Sequence, residues 1–341
     1  MRLIGSLSIL LGLAATGAHP EDDLCMNQIQ VIGTHNSYHV APEESFRLNV
    51  AKYWPEAHEW DYTHKPLDEQ LENGVRSFEL DLFNFADGYQ VFHAPRIDKE
   101  SNCPRFTDCL NAVKAWSDAH PNHVPISFLL EIKDQTRFLI HPPLPPLVPE
   151  ELDRLEAEID AVFSKDDLIT PDLVRGDADN LEAAILENGW PRLKDVRGRV
   201  MFVLHEGGEM RDWYTEGRPN LEGRRMFVRS TPGRPDAAVL IMDGPDVEAI
   251  QERVRQGYYV RTRADAGLRQ AKAGDTTRRD RAFETGAHIV STDFPNGQMH
   301  PDTKYVVRFE DAAPARCNPV NAPESCSAGS LQATAPLCRK E

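Results

Sequence analysis

Eight apolar runs of strand length punctuate this chain, and most are continuous rather than alternating. They occupy residues 28–33, 76–82, 126–132, 199–204, 225–228, 238–242, 258–261 and 288–292. A continuous apolar run is what a strand buried on both faces requires. Between the runs lie helix-period patterns over residues 106–119, 149–163, 180–187, 245–256 and 268–285. Strands alternating with helices build right-handed βαβ units and a parallel sheet. Eight of them predict an α/β fold of the TIM type, a single (β/α) barrel, with a doubly wound open sheet as the alternative. Such a barrel takes roughly 250 residues plus insertions, and a chain of 341 residues accommodates one.

The ends of the chain carry different signals. Arg2, the apolar stretch from Leu3 to Leu13 and the small residues Thr16-Gly17-Ala18 form a secretory signal over residues 1–18. That stretch is too short for the roughly 30 Å hydrocarbon core of a bilayer, so the expected product is exported and soluble. The barrel is expected over residues 19–311, and residues 312–341 form a Pro-, Ala- and Ser-containing tail with three cysteines, Cys317, Cys326 and Cys338. Six cysteines without metal-type spacing suit an oxidising compartment. Cys103 and Cys109 are spaced to clip one short loop, and Cys25 is a candidate to tie the chain's start to its tail. A net charge of -16 argues against nucleic-acid binding, which depends on basic surface.

The residues that close the apolar runs carry the chemistry. His35 and Asn36 follow the first run, Glu79 and Asp81 alternate in the second, and Glu131 and Lys133 end the third. His93 follows a short run, 89–92, that Asp87-Gly88 folds back as a hairpin. In a parallel barrel such positions gather at one rim. Asn36, Glu79, Asp81 and Glu131 offer an all-oxygen set of the kind hard divalent cations take; Ca²⁺ accepts about 6–8 oxygens in flexible geometry. Without a cation, two carboxylates on one strand face repel and raise one another's pKa. His35 and His93 titrate near neutrality, so one can accept a proton from an attacking hydroxyl while the other protonates a leaving oxygen. Lys133 offers a point charge to a phosphate oxygen, or a salt bridge to a neighbouring acid. Arg261 and Arg263 end the seventh run and serve either a phosphate-bearing head group or structural pairing. The set points to metal-assisted phosphodiester cleavage. His39, His58, His64, His120, His123, His141, His205 and His288 read as structural.

The ordered pattern Gly33-Thr34-His35-Asn36-Ser37, Glu79-Leu80-Asp81, His93 and Glu131-Ile132-Lys133 resembles the phosphatidylinositol-specific phospholipases C. It is most similar to their secreted, calcium-dependent branch of bacteria and some fungi. Val260-Arg261-Thr262-Arg263-Ala264-Asp265 and Ile289-Val290-Ser291-Thr292-Asp293-Phe294 are similar to late-strand motifs of that branch. The resemblance spans residues 28–294. It implies a barrel enzyme that converts phosphatidylinositol to diacylglycerol and a cyclic inositol phosphate. Asn36, Glu79, Asp81 and Glu131 would hold Ca²⁺, His35 and His93 would act as acid and base, and Lys133 and Arg261 would meet phosphate or inositol. The implied partner is phosphatidylinositol in a membrane interface, met by transient peripheral contact. Tyr53, Trp54, Trp60 and Tyr62, in the long loop after the first run, suit such an interface or else pack over the barrel mouth. Two other functions compete. A glycerophosphodiester phosphodiesterase shares the barrel, Glu-x-Asp and a following histidine, but shows His-Arg where this chain has His35-Asn36. A secreted lipid-binding barrel without catalysis is the other.

Overall fold

A computed structural model describes residues 24–133, 146–327 and 331. The expected secretory signal, much of the proline-rich connector around His141 and Cys338 lie outside them. The strands in chain order are β1 (Ile29–Thr34), β2 (Val75–Phe85), β3 (Gly88–Val91), β4 (Ile126–Ile132), β5 (Leu168–Ile169) and β6 (Val200–Leu204). They continue as β7 (Met226–Val228), β8 (Val239–Ile241), β9 (Tyr259–Arg263), β10 (Ile289–Thr292) and β11 (Ala315–Cys317). Every apolar run is a strand. These eight staves pair in parallel in the order β7-β6-β4-β2-β1-β10-β9-β8. The two edges of the curled sheet meet through one parallel bridge, Arg229 with Val239.

Burial on both faces explains the continuous apolar runs. Phe78, Phe128 and Phe202 stand in register on β2, β4 and β6. They form one aromatic row against the outer helical layer, where Phe163 meets Phe202 at 5.7 Å. The opposite face of β2 carries Glu79 and Asp81. Gly33 lets the first stave approach its neighbours closely: a Cβ there would lie 2.9 Å from Ile289 Cγ2 and from Ser77 Cβ.

One expectation changes. The helix expected over residues 268–285 is two, Arg269–Ala273 and Thr277–Glu284, because Gly274 turns left-handed at φ +64° and caps the first. The tail adds a strand to the sheet: β11 pairs antiparallel with β1, with Gln30 opposite Arg316. Cys103–Cys109 is bonded as expected and Cys317–Cys326 closes a second short loop. Cys25 has no disulfide partner among the described residues, and Cys338, the remaining tail cysteine, lies outside them.

Candidate active site

The C-terminal ends of the staves bring the charged residues together. Asp81 and Glu131 are direct cross-strand neighbours on β2 and β4. Lys133 bridges them, with Nζ 3.0 Å from Asp81 Oδ2 and 2.6 Å from Glu131 Oε1. Burial works against the Lys133 charge, but the two carboxylates outweigh it and raise its pKa. Glu79 lies one pleat earlier, hydrogen-bonded to Arg261. Burial opposes its ionisation, yet the Arg261 guanidinium, with His35 nearby, draws its pKa down to about 2.

His35 and Asn36 stand where β1 ends. Ser37 pins this turn to β2: its N–H donates to the Glu79 carbonyl (2.9 Å), and its hydroxyl accepts from Glu79 N–H (2.8 Å). Asn36 adopts a left-handed backbone (φ 45°), which asparagine tolerates better than most residues. Its Nδ2 donates to the Tyr62 hydroxyl at 3.4 Å, so the amide oxygen is not used in that bond. His35 Nδ1 lies 2.8 Å from Asp293 Oδ1, and its Nε2 lies 3.8 Å from Glu79 Oε1. His64 donates from Nε2 to the His35 carbonyl at 2.9 Å. Burial lowers the His64 pKa to about 4, which keeps that ring neutral.

His93 arrives by the hairpin. Phe85 pairs with Gly88, so the tight turn is Ala86-Asp87, one residue earlier than expected. Its Nδ1 lies 2.8 Å from Asp98 Oδ2. The same carboxylate accepts from His39 Nε2 at 2.9 Å, while His39 Nδ1 lies 2.9 Å from the Tyr62 carbonyl. Burial disfavours a charged His93, but the Asp98 hydrogen bond and the Asp81 carboxylate prevail and raise its pKa. The side chains of His35 and His93 remain 22% and 26% exposed, enough for a ligand to reach them.

Asp81 is 0% exposed, and neither of its oxygens makes a hydrogen bond of good geometry. Glu206, two residues past β6, accepts from Ile132 N–H at 2.6 Å, but its second oxygen is buried without a partner. Burial raises the Asp81 pKa against the opposing Lys133 charge, with Glu131 adding to the rise; burial and then Glu131 raise that of Glu206. Around the mouth four carboxylates, Glu79, Asp81, Glu131 and Glu206, thus face two cations, Lys133 and Arg261. Buried, under-satisfied oxygens with excess negative charge suit a hard divalent cation. In donor chemistry the set fits such an ion, with Glu79 engaged by Arg261 and Asp81 and Glu131 by Lys133 in this structure.

Comparison with known proteins follows this geometry. A family model described as phosphoinositide phospholipase C, Ca²⁺-dependent, matches residues 24–89 and 85–319. The chain belongs to this phospholipase C family. No curated protein matches it in sequence. Its fold is similar to a calcium-dependent phosphoinositol-specific phospholipase C from a Pseudomonas species, at 18% identity and a TM-score of 0.59 over 87% of this chain and 96% of the other. A Ca²⁺-dependent phosphatidylinositol-specific phospholipase C from Streptomyces antibioticus is similar at 17% identity and 0.57, covering 82% and 96%. The Listeria monocytogenes phosphatidylinositol-specific phospholipase C follows at 16% and 0.50, covering 82% and 96%.

For Arg261, Trp60 and Tyr62, where the sequence left alternatives open, the geometry of this phospholipase C favours structural packing. Arg261 is 2% exposed, its guanidinium held between Glu79 and Asp243, which leaves no open face for a head group. Of the four loop aromatics, Trp60 and Tyr62 are buried; Trp60 packs edge-on to His93 at 5.4 Å and Tyr62 against His39 at 4.5 Å. Four further residues received no site role from the sequence: Asp293, quoted only within a late-strand motif, His39, read as structural, and Asp98 and Glu206. Asp293 and Glu206 each follow a stave by one or two residues, a signal that was available. Asp98 and His39 lie in long connections and meet only in three dimensions.

Proposed function

We propose that this enzyme cleaves phosphatidylinositol to diacylglycerol and a cyclic inositol phosphate. The observation that carries the reading is a pair of carboxylate-backed imidazoles, one beside Glu79 and the other beside Asp81. The inositol hydroxyl adjacent to the phosphate attacks phosphorus; the new O–P bond closes the ring as the P–O bond to glycerol breaks. One imidazole takes the hydroxyl proton, and the other protonates the departing diacylglycerol oxygen. Asp293 and Asp98 fix the two rings, each by its Nδ1, which leaves Nε2 to face the substrate. Lys133, part-exposed, offers its charge to a non-bridging phosphate oxygen, while Arg261 acts through Glu79. Ca²⁺ held by Asn36, Glu79, Asp81 and Glu131 would neutralise phosphate charge and acidify the attacking hydroxyl.

The decisive experiment follows phosphorus NMR of phosphatidylinositol vesicles with purified enzyme. A cyclic phosphate resonance is expected with Ca²⁺ and none in excess chelator. Undiminished turnover in chelator sinks the metal assignment, and glycerol phosphate release from glycerophosphodiesters would favour the competing esterase.

Membrane contact is assigned to the short helix Glu44–Val50 and the turn after it. Phe46, Leu48, Tyr53 and Trp54 are all exposed there, Tyr53 by 91%. Such side chains suit the bilayer interface. Replacing Tyr53 and Trp54 together by Ala should reduce partitioning onto phosphatidylinositol vesicles; unchanged partitioning would remove this face from the proposal. No helix among the described residues is long and apolar enough to cross a membrane. Export is inferred from the signal over residues 1–18 and the two disulfides; N-terminal sequencing of protein from the culture medium tests it.

A further inference from the structure

We propose that His39, His93 and Asp98 form a second metal site, for a borderline-soft ion of the zinc class, separate from the oxygen set on β2 and β4. One ligating atom from each residue, His39 Nε2, His93 Nδ1 and an Asp98 oxygen, lies within 4.8 Å of the others. Both nitrogens already point at Asp98 Oδ2, from 2.9 Å and 2.8 Å. A tetrahedral ion with bonds of about 2.0–2.1 Å holds its ligands about 3.3 Å apart. Both nitrogen–oxygen contacts are shorter than that spacing, so the cluster opens around the ion as it binds. Two imidazoles and one carboxylate favour zinc, cobalt or nickel over calcium, which prefers oxygen alone.

A second observation points the same way. His39 is buried, and its far nitrogen, Nδ1, is fixed on the Tyr62 carbonyl at 2.9 Å. That is the outer-shell bond that orients a metal-ligating histidine and sets which nitrogen faces the ion. Tyr62 packs at a tilt against the same ring, and Trp60 walls the His93 side. Three protein ligands leave a fourth position open, and the part-exposed face of His93 gives water access to it. Binding replaces two N–H protons, one on His39 Nε2 and one on His93 Nδ1, and both leave to solvent. An ion there also takes His93 away from Asp98, so occupancy halts turnover. The site acts as an inhibitory lock on one imidazole.

The test titrates Zn²⁺ into the intact protein in saturating Ca²⁺ by calorimetry, with X-ray absorption of the zinc-loaded wild type. One zinc per chain is expected, undiminished by Ca²⁺, with two imidazole nitrogens in its shell. His39→Gln should weaken binding by about tenfold or more. An all-oxygen or sulfur shell, displacement by Ca²⁺, or unchanged affinity in a folded His39→Gln protein would overturn the site. The wild-type absorption result decides even where that variant fails to fold. Both readouts are independent of phosphatidylinositol cleavage, so failure of the proposed reaction leaves this test standing.

Discussion

The two imidazole arms reach one mouth by different construction. His35 follows β1 and Asp293 follows β10, and those strands pair in parallel with Thr34 opposite Thr292. The sheet ladder itself therefore sets the 2.8 Å contact between them. His93 and Asp98 belong instead to an excursion beyond β3. There the Ala94–Asp98 bridge, the His39–Ser101 bridge and the Cys103–Cys109 loop hold the carboxylate in place. The electrostatics differ too. Asp293 is buried beside Arg263 and Asp265; burial opposes its charge, but His35 and Arg263 hold its pKa below the usual carboxylate range. Asp265 absorbs the repulsion, pushed up to about 6 by burial and by Asp293. Asp98 has no such rival and serves two histidines instead. One arm owes its orientation to register, the other to a network of loop hydrogen bonds.

Removing either ring should give the largest effect. His35→Ala and His93→Ala are each expected to lower kcat by about 10²–10⁴. A loss confined to one variant in single-turnover kinetics would break the idea that the arms share the proton transfers. The next effect separates the carboxylates. Asp98→Asn and Asp293→Asn should each reduce kcat by about 10- to 100-fold, through a misdirected ring. Asp98→Asn should also shift a pH limb. Asp98 helps hold the His93 pKa above its ordinary value, so losing that charge moves the His93 limb of kcat to lower pH. An unmoved limb would mean that His93 is not the titrating group. The sign for stability follows: the folded His93 keeps its proton more tightly than the unfolded chain. Its contribution is present below the ordinary histidine pKa and lost as pH rises through the elevated one.

The smallest effect belongs to the loop clip. Replacing Cys103 and Cys109 by Ala reopens a loop with a sequence separation of 6 and should cost about 2 kcal/mol in denaturant unfolding. If the comparison holds, the variant slows turnover through the His93 arm and leaves the Asp293→Asn defect unchanged in size. Equal sensitivity of both arms would show that the loop supports the whole mouth.

Much of the barrel was legible because a buried parallel strand leaves a continuous apolar run. Even Met226–Val228, a stave of three residues, announced itself that way. The break at Gly274 was not, since the helical period runs on through residues 268–285 and only the left-handed turn interrupts it. At the site, strand-end position identified the residues that sit on staves. It said nothing about Asp98 and His39, 59 residues apart, which meet because the excursion after β3 folds back beneath the loop after β1. Arg261 shows the opposite failure. A strand-end arginine looks available to a substrate until the fold places Glu79 across from it.

The pairing of β11 with β1 has a consequence for biosynthesis. The stave that carries His35 leaves the ribosome among the first, yet it is flanked by β10 and capped by Ala315–Cys317, which emerge among the last. Asn318 N–H then donates to the Gln28 carbonyl at 2.9 Å and ties the closing segment to the opening one. Contacts of such long sequence separation form late. A partly synthesised chain therefore lacks the neighbours that hold the His35 arm in place.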